Sequence, residues 1–184
     1  MARIDGTSGN NILNGTDAND SIYGYAGHDK LFGGKGSDKL FGGDGDDYLN
    51  GGGSTRGELD ELTGGTGKDT FSLVTNLQTI GGKPVADPGY LNDDVLNTKD
   101  SSGFAVITDF KLGEDKIELD GYAAHYQIVP VSWGQTFGSA DKADYAIIWQ
   151  GPEQDKSDVV AVLQDVSEPL NDAYLRTSSF KYTN

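Results

Sequence analysis

Acidic side chains recur at a fixed spacing in the first 72 residues of the chain. When this segment is divided into units of nine residues from Gly6, the sixth place of every unit holds an aspartate or, once, an asparagine, and the eighth place is always apolar. Carboxylate and amide oxygens are the ligands that hard divalent cations prefer. The pattern therefore predicts a row of cation sites. The sixth places are Asn11, Asp20, Asp29, Asp38, Asp47, Asp60 and Asp69.

Composition narrows the choice of metal and partner. The 184 residues include 29 acidic and 14 basic side chains, and the net charge of -15 argues against nucleic acid or an anionic membrane surface as a partner. The absence of cysteine excludes disulfides and thiolate metal sites, which leaves carboxylates, carbonyls and two histidines as ligands. No apolar run reaches the ~18 residues needed to cross a bilayer, and residues 1–20 lack the pattern of a cleavable signal.

The length of the unit indicates which elements must position these acids. Nine residues cannot form a core of their own, so each unit must stack on its neighbours. Six glycine-rich residues suit a tight turn with positive φ angles, and three residues with an apolar centre suit a short strand. Two units then complete a coil of 18 residues whose apolar eighth places meet inside. These predicted core residues are Leu13, Ile22, Leu31, Leu40, Leu49, Leu62 and Phe71.

Stacking places the sixth-place residues in two columns. Neighbouring strands lie ~4.8 Å apart, so stacked carboxylates need a cation between them. Half of that spacing, about 2.4 Å, matches calcium–oxygen bonds and exceeds the ~2.1 Å that magnesium demands. The alternative interpretation, that these are solvated turn residues, is disfavoured by seven units in register. One column holds Asn11, Asp29, Asp47 and Asp69, and the other holds Asp20, Asp38 and Asp60.

The phrases "GGKGSDKLF" and "GGDGDDYLN", residues 33–50, are similar to the GGxGxDxUx nonapeptide of the RTX (repeats-in-toxin, hemolysin-type) calcium-binding family. This resemblance implies an all-β fold with a right-handed parallel β-roll over residues 6–75. It also implies that the second, fourth and sixth places of one turn hold each ion together with the first, third and sixth places of the turn one coil later. Three to five Ca2+ ions are expected, with folding and calcium binding as one event.

Applied to this sequence, the family ligand scheme gives three complete sites and two that depart from the motif. Of the latter, one has an amide in place of a carboxylate, and the other spans a four-residue insertion within residues 51–63. The complete sets are Thr16, Ala18 and Asp20 with Gly33, Lys35 and Asp38; Tyr25, Gly27 and Asp29 with Gly42, Asp44 and Asp47; and Gly43, Gly45 and Asp47 with Gly64, Thr66 and Asp69. The departing sets are Thr7, Gly9 and Asn11 with Gly24, Ala26 and Asp29, and Gly34, Gly36 and Asp38 with Asp60.

From Phe71 onward the sequence changes to alternating apolar stretches that predict β-strands. Polar loops separate them, the longest at 76–103, and no helix is predicted. We expect residues 76–184 to form an antiparallel or mixed β-rich cap over the open end of the roll. The stretches are FSLV, FAVITDF, DKIEL, HYQIVPVSW, YAIIWQ, VVAVLQDV and SSFKYT.

One segment of this second region, AVITDFKLGEDKIEL at 105–119, resembles the segment that follows RTX repeats in serralysin-type C-terminal domains. On this resemblance, Asp109 or Asp115 is a candidate to cap the last calcium site, and a salt bridge or a turn role is the alternative for each. Phe110, Ile117 and Leu119 are predicted to be core residues.

The family resemblance implies a role in secretion. A bacterial protein exported by type I machinery would carry this module unfolded inside the cell, and calcium would fold it outside. Extracellular calcium modules bind at roughly 10⁻⁴ to 10⁻³ M, which suits such a switch. The alternative is a carbohydrate-binding or surface-attachment module, because alginate-modifying enzymes carry similar RTX modules. Its stacking face for an extracellular polysaccharide would use Tyr23, Phe32, Phe41 and Tyr48.

Catalytic residues are not predicted. His125 has no cysteine and no glycine-elbow serine to activate, and His28 is expected to be an exposed turn residue. Asp93 and Asp94 are adjacent, and adjacent carboxylates rarely converge on one bond. The chain is therefore predicted not to be an enzyme.

Overall fold

The computed structural model describes residues 1–52, 58–74, 79–80, 83–84, 104–131, 142–150 and 157–183. Within these ranges the chain forms 16 strands and two short 3₁₀ helices, Ala123–His125 and Asp172–Arg176. The strands before residue 73 are β1 (Arg3–Thr7), β2 (Ile12–Asn14), β3 (Ser21–Ala26), β4 (Lys30–Gly34), β5 (Lys39–Asp44), β6 (Tyr48–Gly52), β7 (Leu59–Thr66) and β8 (Thr70–Ser72). Those after it are β9 (Thr79–Ile80), β10 (Lys83–Pro84), β11 (Phe104–Ile107), β12 (Lys116–Asp120), β13 (Tyr126–Pro130), β14 (Ala143–Gln150), β15 (Ser157–Val166) and β16 (Phe180–Thr183).

The repeats form a parallel roll with two sheets. Strands β1, β3, β5 and β7 pair in parallel in one sheet, and β2, β4, β6 and β8 pair in parallel in the other. Ser21 lies opposite Lys39, and Lys39 lies opposite Glu61 although four extra residues separate that pair. The insertion is therefore accommodated outside the strands, and the predicted all-β parallel roll is confirmed.

Each repeat unit contributes one eighth-place apolar side chain to the core of the roll. Leu13, at the N-terminal end, is half-buried and packs against this core. Full burial of such a side chain contributes about 1.5–3 kcal/mol relative to exposure, so the apolar row holds the strands together while the turns lie outside it. The eighth-place residues that are fully buried are Ile22, Leu31, Leu40, Leu49, Leu62 and Phe71.

The backbone conformation at the second place of the turn differs along the array. Gly43 has a φ of 115°, and a Cβ atom there would lie 2.0 Å from the carbonyl oxygen of Tyr25 in the preceding coil. Tyr25 occupies the same place with a φ of 77°, which is uncommon for a residue with a side chain. Thr7 and Thr16, at the second places of the first and second units, do not have positive φ. The left-handed turn therefore begins with the Tyr25 turn.

Both sheets continue past the repeats. Strand β11 pairs in parallel with β7, and β12 pairs in parallel with β8. Strand β16 then extends one sheet, while β15, β14 and β13 extend the other, with β14 antiparallel to both of its neighbours. The expected mixed arrangement is confirmed, and each of the seven predicted stretches contains a strand. Most of the predicted loop at 76–103 lies outside the described residues.

The predicted core residues of the second region are buried. Phe110, Ile117 and Leu119 are 5%, 0% and 1% exposed. They join the same hydrophobic cluster as the eighth-place leucines, so the core of the roll runs into the C-terminal sheets. In the described part of the chain, none of the helices has the length and apolar character needed to span a bilayer.

Candidate metal centre

The sixth-place residues form two hydrogen-bonded ladders along the turns. In the first column, Asn11 N donates to Asp29 Oδ1 at 2.6 Å, Asp29 N to Asp47 Oδ1 at 2.8 Å, and Asp47 N to Asp69 Oδ1 at 3.0 Å. Each backbone amide therefore binds the carboxylate of the following coil. All the sixth-place aspartates are at most 2% exposed, although burial of charge without compensation is costly.

The second column follows the same rule. Asp20 N donates to Asp38 Oδ1 at 2.7 Å, and Asp38 N donates to Asp60 Oδ1 at 2.8 Å across the insertion. At the N-terminal end of this column, Ala2 N donates to Asp20 Oδ1 at 2.6 Å. One oxygen of each sixth-place aspartate thus accepts a hydrogen bond from the backbone of the preceding coil.

Three of the second carboxylate oxygens are buried without a hydrogen-bond partner. They are Oδ2 of Asp29, Asp38 and Asp47. A buried acceptor without a partner is rare in native proteins, and a charged one is costly. Such atoms are the expected signature of a cation-binding position.

The unpartnered oxygens lie beside carbonyl oxygens of the following coil. A Cβ atom on Gly42 would lie 2.3 Å from Asp47 Oδ2 and 2.6 Å from the carbonyl oxygen of Gly64. A Cβ atom on Gly33 would likewise lie 2.4 Å from Asp38 Oδ2 and 2.3 Å from the Gly51 carbonyl oxygen. First-place glycine therefore leaves room for a carboxylate and a carbonyl to face the same small space. This donor set fits Ca2+, which prefers carboxylate and carbonyl oxygens.

The register brings the predicted ligand sets together, turn against turn. Ala26 lies opposite Asp44, and Asp44 lies opposite Thr66. The third-place carbonyls of Asp44 and Thr66 accept hydrogen bonds from Gly27 N at 2.8 Å and Gly45 N at 2.7 Å, so they face the preceding turn as the ligand scheme requires. Within the described residues, no three Asp, Glu or His side chains are gathered closely enough to hold a metal alone. A cation at these turns would therefore need backbone carbonyls as well as carboxylates as ligands.

The two predicted ligand sets nearest the N-terminus, those of Asn11 and Asp20, differ from the others. Their sixth-place side-chain oxygens already accept hydrogen bonds. Thr16 N and Thr16 Oγ1 donate to Asp20 Oδ2 at 2.8 and 2.7 Å, and Lys35 N donates to the Thr16 carbonyl at 3.2 Å. Thr7 N donates in the same way to Asn11 Oδ1 at 2.7 Å. These turns lack the positive φ at the second place, so the amide points at the sixth-place side chain.

The pKa values of the acids follow these contacts. Burial raises the pKa of Asp38 to about 7 and that of Asp47 to about 6, and neighbouring carboxylates push in the same direction. Burial, with Asp115 and Asp47 nearby, raises the pKa of Asp69 to about 7. Burial acts on Asp20 as well, but hydrogen bonds from Thr16 and Ala2 outweigh it and lower the pKa of Asp20.

Calcium binding should strengthen as the pH rises from 5.5 to 7.5. The raised pKa values of Asp38, Asp47 and Asp69 mean that protons compete with calcium below about pH 7. Without calcium, the stability of the folded array should instead decrease as the pH rises. The raised pKa values in the folded state stabilise the array at low pH, and this stability is lost as the pH rises through about 6 to 7. Calcium midpoints from circular dichroism at several pH values measure the first effect. A midpoint that stays constant over this range would contradict it.

Asp115 and Asp109 belong to the turns, and the sequence left their role open. Asp69 N donates to Asp115 Oδ1 at 3.0 Å, so Asp115 adds one more member to the first column. Lys111 N donates to Asp115 Oδ2 at 2.8 Å, and Asp109 accepts hydrogen bonds from the backbone amides of the Gly64–Gly65 turn. The signal for Asp115 was present, because Asp115 and Ile117 repeat the spacing of acid and apolar residue found in every unit.

Hydrogen bonds also link the fifth-place residues of successive coils, and the sequence analysis did not predict them. Asn10 Oδ1 accepts from His28 N, His28 Nδ1 accepts from Asp46 N, and Asp46 Oδ1 accepts from Lys68 N, each at 2.9 Å. His28 is exposed, as predicted, but its ring also bridges two turns. Here each side chain binds the amide of the following coil, opposite in direction to the sixth-place ladder. In the other column the same contacts join Asn19 to Ser37 and Ser37 to Leu59.

The repeat segment matches a family of known proteins. Residues 5–40 and 26–55 match the model of the RTX calcium-binding nonapeptide repeat, with 4 copies. Residues 5–55 are an RTX calcium-binding repeat array. No curated protein matches the sequence. The repeats of this family bind calcium.

Two solved structures are similar to the RTX array together with the rest of the chain. One is the AlgE6R3 subunit of the Azotobacter vinelandii mannuronan C5-epimerase, with 21% identity over 95% of this chain and 79% of that chain and a TM-score of 0.33. The other is the AlgE6R2 subunit of the same enzyme, with 21% identity over 97% of this chain and 91% of that chain and a TM-score of 0.38.

Proposed function

We propose that this chain is an RTX module that folds on binding several Ca2+ ions outside the cell and so supports type I secretion and the stability of a secreted bacterial protein. The observation that carries the proposal is the set of three buried, unpartnered carboxylate oxygens, on Asp29, Asp38 and Asp47, that face carbonyls of the next coil. The family resemblance and the proposed calcium binding support type I export and an extracellular location. The division into a roll at 6–75 and a cap at 76–184 belongs to the same proposal.

The bound ions are not equivalent in this proposal. The strongest sites lie where an unpartnered oxygen faces the next turn, between Asp29 and Asp47, between Asp47 and Asp69, and between Asp38 and Asp60. The site between Asn11 and Asp29 and the site between Asp20 and Asp38 bind more weakly. In these turns the Thr7 amide already donates to Asn11, and the Thr16 amide and hydroxyl already donate to Asp20. Three tight and up to two weak ions result, which keeps the total at three to five.

Calorimetric titration with calcium tests the proposed function. We expect three tight binding events near or below millimolar calcium, with weaker events above it. Magnesium at the same concentration is the control and should not saturate these sites, because its shorter bonds do not match the spacing of the turns. A chain that binds no calcium, or binds magnesium equally well, would overturn the proposal.

A carbohydrate-binding role is the second candidate, and one surface favours it. The rings of Tyr23 and Phe41 stack with centroids 4.9 Å apart and planes 9° apart, and the Arg3 guanidinium lies 4.5 Å from the centre of Tyr23. Phe32 and Tyr48 lie on the other sheet, so the four aromatic residues do not form one face. A glycan array with and without calcium separates the candidates, since calcium-dependent retention of a polysaccharide would favour this one.

A further inference from the structure

The four-residue insertion in the repeat array carries a glutamate at a place where the other turns use a backbone atom. We propose that the carboxylate of Glu58 is a calcium ligand that replaces the third-place carbonyl in the site between Asp38 and Asp60. This inference rests on the proposed calcium function and concerns one site within it.

The structure fixes the place of Glu58 in the turn. Leu59 N donates to Ser37 Oγ at 2.9 Å, which is the fifth-place contact, so Leu59 is a fifth-place residue and Glu58 stands at the fourth place. The extra residues therefore fall between Gly52 and Glu58, where a regular turn has only its third-place residue.

The regular turns show what the third-place carbonyl does. Gly27 N donates to the carbonyl of Asp44 at 2.8 Å, and Gly45 N donates to the carbonyl of Thr66 at 2.7 Å. In both cases a fourth-place amide binds the third-place carbonyl of the following coil, and that carbonyl is one of the six ligands of the family scheme. The same amide in the Asp38 turn belongs to Gly36.

Glu58 takes over this contact. Gly36 N donates to Glu58 Oε1 at 2.7 Å, so a carboxylate oxygen lies where the third-place carbonyl oxygen lies elsewhere. Glu58 is only 6% exposed, which is unusual for a glutamate on a turn. The neighbouring turns have glycine at this place, and a Cβ atom on Gly45 would lie 2.0 Å from the carbonyl oxygen of Gly27. A side chain at the fourth place of such a turn would therefore clash with the preceding coil, and Glu58 does not share the positive φ of Gly45.

An independent observation indicates a cation at this position. Asp38 is 0% exposed and its Oδ2 atom has no hydrogen-bond partner. The Gly51 carbonyl faces the same space from the following coil, on the evidence of the Cβ position at Gly33. Asp38 N donates to Asp60 Oδ1 at 2.8 Å, and Glu58 is bound by the amide of Gly36, two residues before Asp38, so both carboxylates lie at the same turn.

The completed site would contain more negative charge than its neighbours. Asp38, Glu58 and Asp60 supply three carboxylates, whereas a regular site has two. The three side chains do not converge on one point in the structure, so we expect the cation to draw the Glu58 carboxylate inward by rotation about its side-chain bonds. Because calcium affinity rises with the number of charged ligands, this site should be the tightest in the array.

Calcium titration of the full chain with Glu58→Gln tests this assignment. Glutamine keeps an oxygen acceptor for Gly36 N but removes the charge. We expect the free calcium needed for one ion to rise by about tenfold, with the other ions changed by less than about twofold. Native mass spectrometry counts the ions, and hydrogen exchange at Gly36 should show that its amide remains protected. Glu61→Gln is the matched control, because it removes the same charge from an exposed residue of the same coil that pairs with Lys39.

Two outcomes would overturn the assignment. One is an unchanged calcium midpoint in Glu58→Gln with Gly36 still protected, which would make Glu58 only a hydrogen-bond acceptor. The other is a shift of equal size for every ion, or the same shift in Glu61→Gln, which would make the effect one of net charge. If the wild-type chain bound no calcium, the proposed function itself would fail, so the two failures are distinguishable.

Discussion

Removal of calcium with a chelator is expected to unfold the repeat array, and millimolar calcium is expected to restore it. Along both columns, the backbone amide of each sixth-place residue donates to the carboxylate of the next coil. Consecutive carboxylates therefore lie about one strand spacing apart. At roughly 5 Å and an effective dielectric constant of about 20, each ionised pair costs about 3 kcal/mol. Several such pairs exceed the ~5–15 kcal/mol by which a domain is stable. Far-UV circular dichroism should show a disordered signal in chelator and a β-rich signal with calcium.

The comparison needs a control for ionic strength and charge. Magnesium and sodium chloride at matched ionic strength should leave the chelator-treated chain largely disordered, because screening alone does not supply ligands for the buried oxygens. Identical spectra with chelator and with calcium would contradict coupled folding. Recovery with sodium chloride alone would reduce the role of calcium to screening.

Asp47→Asn raises the calcium concentration needed for folding by at least about tenfold. Asp47 lies between two proposed tight sites, because its Oδ2 faces the Gly64 turn and the unpartnered Oδ2 of Asp29 belongs to the turn before it. Asparagine keeps an Oδ1 acceptor for Asp29 N, so the change isolates the loss of charge. A calcium titration followed by circular dichroism, with ion counting, measures the effect.

Asp20→Asn is the matched control at an equivalent place. Both oxygens of Asp20 already accept hydrogen bonds from Ala2 and Thr16, so the loss of its charge should move the midpoint by less than about threefold. A larger shift for Asp20→Asn than for Asp47→Asn would contradict the ranking of sites by their unpartnered oxygens.

The period of nine residues was sufficient to predict the roll, because each place has one physical requirement. The apolar eighth place must lie in the core, as Leu40 does, and the strand register then fixes which turns are neighbours. The insertion could be placed correctly because Asp60 and Leu62 keep the spacing of acid and apolar residue that Asp38 and Leu40 show.

The ranking of the sites could not be predicted in the same way. It depends on the φ angle at the second place, which decides whether the amide of Thr16 points at Asp20 or away from it. The motif has glycine at that place, and both Thr16 and Tyr25 depart from it, so the sequence alone does not separate the Asp20 site from the Asp29 site. The fifth-place ladder was missed for a related reason, since asparagine, histidine, aspartate and serine share only an acceptor atom.

The direction of the sixth-place ladder has a consequence for the order of assembly. Every coil donates its amide to a carboxylate supplied by its successor, and the last carboxylate of the first column, Asp115, comes from beyond the repeats. Through these carboxylates each coil depends on the one that follows it in the chain, whereas the fifth-place contacts between side chains and amides run the other way. The array should grow backward, from its C-terminal seed toward residue 1, and fray first at the Asn11 turn.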